Sequence, residues 1–279
     1  MTAALVAPAE SGRLASRRSA AWEWALDRQW PLSLTALAVL LLGWELSARA
    51  DRIPDYLLSP WGAVDGLHRA YADGMLMPAL ELSGYRLVLG FLIGTTAGVV
   101  LGLVSGTNRL LGSLLDPMVS IANPLPKIAL LPVFAVWLGF TDLTRISIIA
   151  LGCFFPTYLN AASGTRLVDV SFLRVSRNVE ASRIRSFLHV VLPAALPRVL
   201  VGVRISLALS FVVLFASEIV VSPDGVGGML YAGFLNGDYP RMYAGLLVLA
   251  VAGFAADLVL SVLARRLTRG QSVGVVGRG

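Results

Sequence analysis

The sequence contains few of the residues on which soluble enzymes usually depend. Among 279 residues there are one cysteine and two histidines, and charged residues make up 14% of the chain, against about 25% in soluble domains. The single cysteine, Cys153, can form no disulfide within the chain. The only lysine, Lys127, follows the sequence ANPLP, so no G-x-x-x-x-G-K-[ST] phosphate-binding loop exists. ATP hydrolysis by that route is therefore excluded.

Apolar residues are abundant and are arranged in long runs. Hydrophobic residues make up 56% of the chain. About 20 helical residues cross the hydrocarbon core of a membrane, where a backbone must satisfy its own hydrogen bonds. The pattern predicts an all-α polytopic membrane protein with about six transmembrane helices, at 31–50, 82–106, 127–141, 145–163, 199–222 and 243–264.

The basic residues predict the orientation of these helices. With the N-terminus in the cytoplasm, most of the 23 basic residues, Lys127 among them, lie on the cytoplasmic side, which is the usual bias. The net charge of +6 is spread along the flanks of the spans, so a nucleic-acid partner is not expected. The run 31–50 could also belong to a signal peptide, but its long leader contains acidic residues as well as arginines, which favours a membrane span.

The few polar groups within the membrane segments limit the possible chemistry. His68 and His189 are predicted on opposite faces of the membrane, so they cannot form one metal site or triad. A membrane enzyme is therefore disfavoured. Arg86, Arg204, Glu218 and Asp257 lie in or near the spans, where ionisable groups are usually paired or functional. A proton relay, and with it a secondary transporter that works alone, stays an alternative.

The second and third spans contain glycine and proline patterns with structural meaning. Glycines recur every fourth residue from Gly90 to Gly106, which predicts a groove for a closely packed neighbouring helix. The segment LDPMVSIANPLPKIALLPVFAVWLGF contains four prolines, and a broken helix at membrane depth must be covered by protein or line a water-filled cavity. This region is a candidate wall of a pathway or a simple kink; the candidate pathway-lining residues are Asn123, Pro126, Asn160, Ser206 and Ser210.

The segment NVEASRIRSFLHVVLPAALP, residues 178–197, is polar for so apolar a chain. On a helix, Ala181, Ile184, Phe187, Leu188 and Val191 form one apolar stripe opposite a polar face. Proline cannot continue a helical hydrogen-bond ladder, so the helix is expected to stop near Pro193. It is either an interfacial helix on lipid headgroups or a contact for a cytoplasmic partner.

This segment resembles the cytoplasmic signature loop of permease subunits of bacterial binding-protein-dependent ATP-binding cassette importers. The family pattern is E-A-A, three residues, G, nine residues, I, one residue, L-P. When Leu192 and Pro193 are aligned with its L-P, Val190 takes the isoleucine position and Glu180 the glycine position. Arg174 then begins the E-A-A positions, so the first half of the motif has diverged.

Further segments resemble the same family in the same order: YLLSPWGAV, GYRLVLGFLIGTTAGVVLGLVSG, LLDPMVSIANPLPKIALLPVFAVWLGF, ISIIALGCFFPTYLNAASG, ASEIV with GVGGMLY, and AADLVLSVLARRL. The combination is similar to the sulfonate, taurine, nitrate and bicarbonate branch. It implies a type I ABC importer permease fold with a cytoplasmic coupling helix, in the bacterial inner membrane, with both termini cytoplasmic.

The resemblance also implies the partners and the division of the chain. ATPase subunits that bind ATP and Mg²⁺, a solute-binding protein and a second permease copy are expected, and no cofactor is expected in this chain, which is not itself an enzyme. Residues 1–30 form a cytoplasmic segment, 31–266 the permease domain with a coupling loop at 164–197, and 267–279 a cytoplasmic tail. The expected ATPase-coupling residues are Arg174, Arg177, Glu180, Ala181, Ser182, Arg183 and Ile184. The solute itself is not identified beyond a small, sulfonate- or nitrate-like anion.

Overall fold

A computed structural model of the chain describes residues 29–50, 54, 56–167, 182–221 and 224–268. These residues form helices and their connections, with no strand among them. The chain divides into two compact units, Met1–Gly62 and Ala63–Gly279. The predicted 1–30 and 267–279 segments lie almost wholly outside the described residues.

Helix α1, Gln29–Arg49, dominates the described part of the first unit. Its apolar side chains are exposed over most of its length, as for a helix that faces lipid. Near its end, Glu45 accepts hydrogen bonds from Arg49 Nε at 2.8 Å and from the backbone N–H of Trp61 at 3.1 Å. Trp61 belongs to α2, Pro60–Ala72, which begins at a proline because the first helical N–H needs no partner within the helix.

The second unit contains the remaining helices. They are α3 (Leu76–Thr107), α4 (Arg109–Ala122), a 3₁₀ turn (Lys127–Leu130), α5 (Leu131–Leu138), α6 (Asp142–Arg166), α7 (Arg183–Ser186), a π-helical turn (Phe187–Val191), α8 (Leu192–Val220), α9 (Gly225–Leu235) and α10 (Tyr239–Thr268).

Five helices in the described residues are long and apolar enough to cross a membrane, and a bent pair brings the number to six. The predicted number is therefore confirmed, but the bounds differ. Helices α3 and α10 have 32 and 30 residues, more than the roughly 20 that a membrane needs, so they tilt or project beyond the hydrocarbon.

The third predicted span, 127–141, is wrong in its extent. The structure shows a pair of helical segments, Arg109–Ala122 and Lys127–Leu138, that meet at an angle of 90°. The missing first half, α4, has a polar side chain at Asp116 and a proline at position 117, which interrupt its apolar run. Lys127, predicted to be a cytoplasmic flank, therefore lies inside a broken span.

The glycine series of α3 packs against α6, which confirms the predicted groove. A Cβ added at Gly98 would lie 2.7 Å from the carbonyl oxygen of Phe154, and one at Gly102 would lie 2.6 Å from that of Tyr158. Gly90, Gly94 and Gly106 meet α6 in the same way. The two backbones approach as closely as they do because these positions carry no side chain.

Helix α8 covers another face of α6 and completes the core of this unit. Ile148, Ile149 and Cys153 of α6 pack with Leu214 of α8 in one buried apolar cluster. Near the middle of the two helices, the hydroxyl groups of Thr157 in α6 and Ser206 in α8 form a hydrogen bond, with 2.7 Å between their oxygens. Helices α3, α6 and α8 thus form the frame that holds the broken span.

Candidate functional site

A cavity of about 290 Å³ lies where the third span breaks. The break contributes residues between Asn123 and Ile128, α6 contributes Gly152 and Pro156, and α8 contributes Leu209, Val212 and Val213. The two helices present the middle of their length, so the cavity lies midway along the bundle. Its wall is mostly apolar, with Asn123 and Lys127 as its polar side chains.

The sequence NPLP explains why the chain breaks at this point. Pro126 has an extended backbone, with φ −68° and ψ 108°, and proline has no N–H to donate to a preceding turn. The N–H of Leu125 bonds to the carbonyl of Ala122 at 3.3 Å, and that of Ala129 to the carbonyl of Pro126 at 3.0 Å. These short-range bonds leave the Asn123 carbonyl free to accept another donor.

The Lys127 side chain binds the Asn123 carbonyl. Its ammonium group donates a hydrogen bond to the backbone oxygen of Asn123 and lies 4.5 Å from the ring centroid of Phe155, a cation–π distance. Within the described part of the chain, no carboxylate lies within ion-pair distance of this ammonium. The cavity wall therefore carries one positive charge.

A group of five charged side chains, three of them buried, joins four helices near the N-terminal end of α3. Arg86 of α3 contacts Glu218 of α8 at 3.1 Å, and the two side chains are only 1% and 0% exposed. Glu218 also accepts hydrogen bonds from the Ser83 hydroxyl at 2.6 Å and from the Gly227 N–H at 2.8 Å. Three donors thus surround the carboxylate and offset the cost of its burial.

The group extends through two aspartates. Asp142 of α6 lies 2.6 Å from Arg86, and Asp224, just before α9, lies 2.9 Å from Arg86 and 2.8 Å from Arg145. Arg145 is 2% exposed. This end cluster, Arg86, Asp142, Arg145, Glu218 and Asp224, ties α3, α6 and α8 to the start of α9.

Gly225 and Gly227 let the end cluster close. A Cβ at Gly227 would lie 3.0 Å from Glu218 Oε2, and Gly225 has a left-handed φ of 72°, which favours glycine. The glycines of the GVGG sequence therefore let the backbone of α9 come close to the Glu218 carboxylate. Sequence reasoning found Arg86 and Glu218 but missed their partners, because Asp142 and Asp224 lie in connections between apolar runs.

A second polar group lies near the opposite end of α3. Asp116 of α4 accepts from the Tyr158 hydroxyl at 2.9 Å and from Ser105 at 3.1 Å, and its other oxygen pairs with Arg166 at 2.5 Å. Arg166 is the last residue of α6. The α4 cluster, Ser105, Asp116, Tyr158 and Arg166, was not predicted, and it fixes one arm of the broken span to α3 and α6.

An ion pair on the surface joins α8 and α10. Arg204 and Asp257 form two hydrogen bonds of 2.7 Å, with side chains 61% and 41% exposed. Ionisable groups in or near spans are usually paired or functional, and these two side chains are paired through the two parallel hydrogen bonds that arginine and carboxylate groups favour.

A family model described as "Binding-protein-dependent transport system inner membrane component" matches residues 94–269. The chain belongs to this permease family. The match includes the broken span, the parts of α6 and α8 that line the cavity, and the segment that joins α7 to α8. The resemblance seen in the sequence is thereby confirmed.

Curated relatives extend over most of the permease. It is 33% identical to the taurine transport system permease protein TauC of Escherichia coli (strain K12) over 92% of this chain and 95% of that one. It is 24% identical to the nitrate import permease protein NrtB of Leptolyngbya laminosa over 96% of this chain and 98% of that one.

Solved structures share its fold. One chain of an inward-facing MetNI methionine ABC transporter matches with a TM-score of 0.54 and 21% identity, over 75% of this chain and 98% of that one. One chain of an amino acid ABC transporter matches with a TM-score of 0.51 and 16% identity, over 78% and 99%. The predicted type I ABC importer permease fold is confirmed.

The pathway residues named from the sequence fall in different places in the permease. Asn123 and Pro126 line the cavity. The Asn160 amide bonds to the Pro156 carbonyl of its own helix at 2.8 Å. Ser206 and Ser210 are fully buried, and Ser206 bonds to the Cys153 carbonyl of α6 at 2.8 Å. These three residues are not part of the cavity wall in this structure.

The predicted coupling residues lie partly outside the described chain. Arg174, Arg177, Glu180 and Ala181 belong to the part 168–181, which is not described. Ser182 accepts a hydrogen bond from the Arg185 N–H at 3.3 Å, Arg183 begins α7, and Ile184 is 74% exposed. A role of these residues in coupling stays a prediction.

Two expectations for this segment are wrong. The helix does not stop near Pro193, because a π-helical turn at Phe187–Val191 leads directly into α8 and places Pro193 in its first turn, where proline is tolerated. The apolar residues do not share one face either, since Phe187 and Val191 pack inward while Ile184 and Leu188 are exposed. A π turn advances each residue by a smaller angle than an α turn, which separates positions that α-helical spacing would align.

Proposed function

We propose that this permease is the membrane-spanning subunit of an ATP-driven importer for a small anionic solute of the sulfonate or nitrate kind. The observation that carries the proposal is the similarity to TauC over 92% of the chain, joined to a central cavity that contains a positive charge. Taurine is a zwitterion that carries a sulfonate group, and NrtB is named for nitrate, so both names point to small solutes that bear an oxyanion group.

The proposed assembly needs other chains. Two ATPase subunits bind ATP and Mg²⁺ beneath two copies of the permease, and a solute-binding protein delivers the solute from outside. Both termini of each copy lie in the cytoplasm, residues 31–266 span the membrane among lipids, and the loop 164–197 meets the ATPase. The family description itself refers to dependence on a binding protein.

Continuity between α7 and α8 supports the proposed coupling. Residues Ile184–Val220 form one helical segment of 37 residues, so a push on α7 is carried along the axis to the cavity wall at Leu209 and to Glu218. ATP reorients the pore only because the ATPase contacts the two orientations differently. Arg174, Arg177, Glu180, Ala181, Ser182, Arg183 and Ile184 are the proposed contacts.

In the proposed cycle the solute binds transiently in the cavity on its way across the membrane. The end cluster closes the bundle near the start of α3, and the α4 cluster holds the broken span near the start of the coupling loop. Asn123 and Pro126 contact the solute in this position, whereas Asn160, Ser206 and Ser210 reach the pathway only if α6 and α8 separate.

Uptake into membrane vesicles tests the proposal. The vesicles contain the permease together with the ATPase and solute-binding protein of the same transport system, and labelled ethanesulfonate and nitrate are supplied with and without internal ATP. Uptake of one of these anions that needs ATP and both partners is the expected result. Uptake by the permease alone would replace the importer with a secondary transporter, and no uptake of either anion would overturn the assigned solute class.

A further inference from the structure

We propose that Lys127 is the anion-binding residue of the central cavity and gives the pathway its preference for anions. The inference deepens the proposed import of a small oxyanion and rests on it. It assigns a chemical role to a residue that the sequence analysis treated as a cytoplasmic flank.

Lys127 lies at the break in the third span. It follows the break between α4 and α5 and lines the cavity opposite Gly152 and Pro156 of α6 and Leu209 of α8, all near the middle of their helices. Irregular backbone is tolerated at membrane depth where it is covered by protein or lines a cavity, and discontinuous helices form midplane solute sites in other transporters. The break thus brings a long cationic side chain to the place where a crossing solute passes.

The partners of Lys127 differ from those of the arginines in the spanning helices. Arg86, Arg145 and Arg204, three arginines of the spanning helices, each face carboxylates. The Lys127 ammonium instead has a backbone carbonyl and an aromatic ring, and no acidic side chain in the described residues forms an ion pair with it. Its charge is solvated by dipoles and is not neutralised.

The positive charge of Lys127 favours an anionic ligand. A cation in an apolar cavity wall is costly at membrane depth, and an anion that enters the cavity lowers this cost. An ammonium has three N–H donors, so one bond to the Asn123 carbonyl leaves two for oxyanion oxygens, as charge-assisted bonds. A single charged contact also suits a pathway, which must release its solute.

The volume of the cavity agrees with a small ligand. At about 290 Å³, it lies at the lower end of ordinary small-molecule pockets, which begin near 300 Å³. A sulfonate or nitrate fits with room for water, and the alkyl part of an aliphatic sulfonate would meet Leu209, Val212 and Val213.

The first test is uptake of labelled ethanesulfonate and nitrate by vesicles that contain the complete importer. Lys127→Met removes the charge but keeps the length, and we expect uptake to fall about tenfold or more, as for loss of a charge-assisted bond. Lys127→Arg should retain a substantial part of the uptake. Arg109→Met is the control, because it removes an exposed positive charge at the start of α4 and should leave uptake unchanged.

The outcomes separate the inference from the proposed function. If the unaltered importer moves neither anion, the proposed solute class fails. If it moves an anion and Lys127→Met moves it equally well, the inference about Lys127 is overturned while the proposed function stands. Co-purification with the ATPase and the unfolding temperature establish that each variant is assembled.

A direct measurement needs no variant. Since Lys127 is the only lysine, selective ¹⁵Nζ-lysine labelling of the full chain in lipid nanodiscs gives one side-chain ammonium signal. Titration with sodium ethanesulfonate or sodium nitrate should shift this signal saturably, whereas dimethyl sulfone, a neutral solute of similar size, should not. A signal that stays unmoved by both oxyanions would overturn the proposal even if Lys127→Met failed to fold.

Discussion

Arg86 Nη1 lies 3.1 Å from Glu218 Oε1 although the two residues are 132 positions apart in the chain. Neither side chain is more than 1% exposed, so this contact joins α3 to α8 through two buried charges, whereas Asp142 and Asp224 beside it are 42% and 40% exposed. A buried ion pair contributes little net stability, but loss of one partner leaves the other charge uncompensated. The contact therefore specifies how these helices are placed.

Replacement of Arg86 by Met should destabilise the permease by about 3–5 kcal/mol, because Glu218, Asp142 and Asp224 would lose their common partner. Glu218→Gln should be less harmful, since the neutral amide oxygen can still accept from Ser83. The midpoint temperature of unfolding of the purified chain in detergent measures both.

The exposed pair Arg69 and Asp65 provides the control. The two side chains are 66% and 47% exposed, and an ion pair of this kind contributes little, so Arg69→Met should leave the midpoint nearly unchanged. Equal midpoints for Arg86→Met and Arg69→Met would show that burial of the end cluster has no consequence for stability.

Gly98→Ala should destabilise the seam between α3 and α6. The new Cβ would lie 2.7 Å from the Phe154 carbonyl oxygen and 2.8 Å from Thr157 Cβ, and overpacking of this kind costs about 1–3 kcal/mol. Gly98→Leu should be worse. Thermal unfolding in detergent gives the size of the effect.

Gly84→Ala, on the same helix, is the matched control because a Cβ there meets nothing within 4 Å. Alanine has the higher helix propensity, so this variant should be as stable as the parent or more so. If both alanine variants were equally stable, the two helices would not be in close contact at Gly98.

The regular part of the fold was predictable from sequence because its signals are periodic. Apolar runs indicated the spans, and the four-residue recurrence from Gly90 to Gly106 indicated a close helix contact. Both signals depend on residues that are near one another in the chain. The proline-rich stretch likewise indicated the break at NPLP, although it did not give the 90° bend.

The polar clusters were not predictable because they depend on distant residues. Arg145 and Asp224 are 79 positions apart, and Asp116 meets Arg166 across 50. One sequence does not show which of many arginines meets which acid. The π turn after α7 was not predicted either, because an α-helical spacing was assumed for residues 181–191 and nothing in the sequence indicates where the helix type changes.

The ion pair of Asp116 and Arg166 should act as one unit in transport. Because both oxygens of Asp116 are occupied by groups from α3 and α6, Asp116→Asn should loosen α4 and reduce solute uptake by the complete importer. Arg166→Met should do the same, and the double variant should be no worse than the more severe single one.

Uptake rates of the three variants in vesicles form a double-mutant cycle. Tyr158→Phe is a milder companion, since it removes one of the donors to Asp116 and keeps the ring. Strictly additive losses would mean that Asp116 and Arg166 influence uptake independently, in spite of their contact.

Ile184→Asp should weaken attachment of the ATPase and leave the permease folded. Ile184 is 74% exposed in the polar segment that precedes α8, so its side chain contributes little to the packing of this chain, and an apolar group exposed beside charged residues suits a partner surface. Arg183→Glu should have the same effect by reversing a charge in this segment. Co-purification of the ATPase with tagged permease measures attachment, and the unfolding temperature measures folding.

The matched control is Val191→Asp, seven residues further along the same segment. Val191 is 7% exposed. A carboxylate at this position would therefore be buried without a hydrogen-bond or ion-pair partner and should lower the unfolding temperature. The two variants therefore separate attachment from folding. Full recovery of the ATPase with Ile184→Asp and with Arg183→Glu would move the contact surface away from α7, and the part 168–181 would be the next place to look for it.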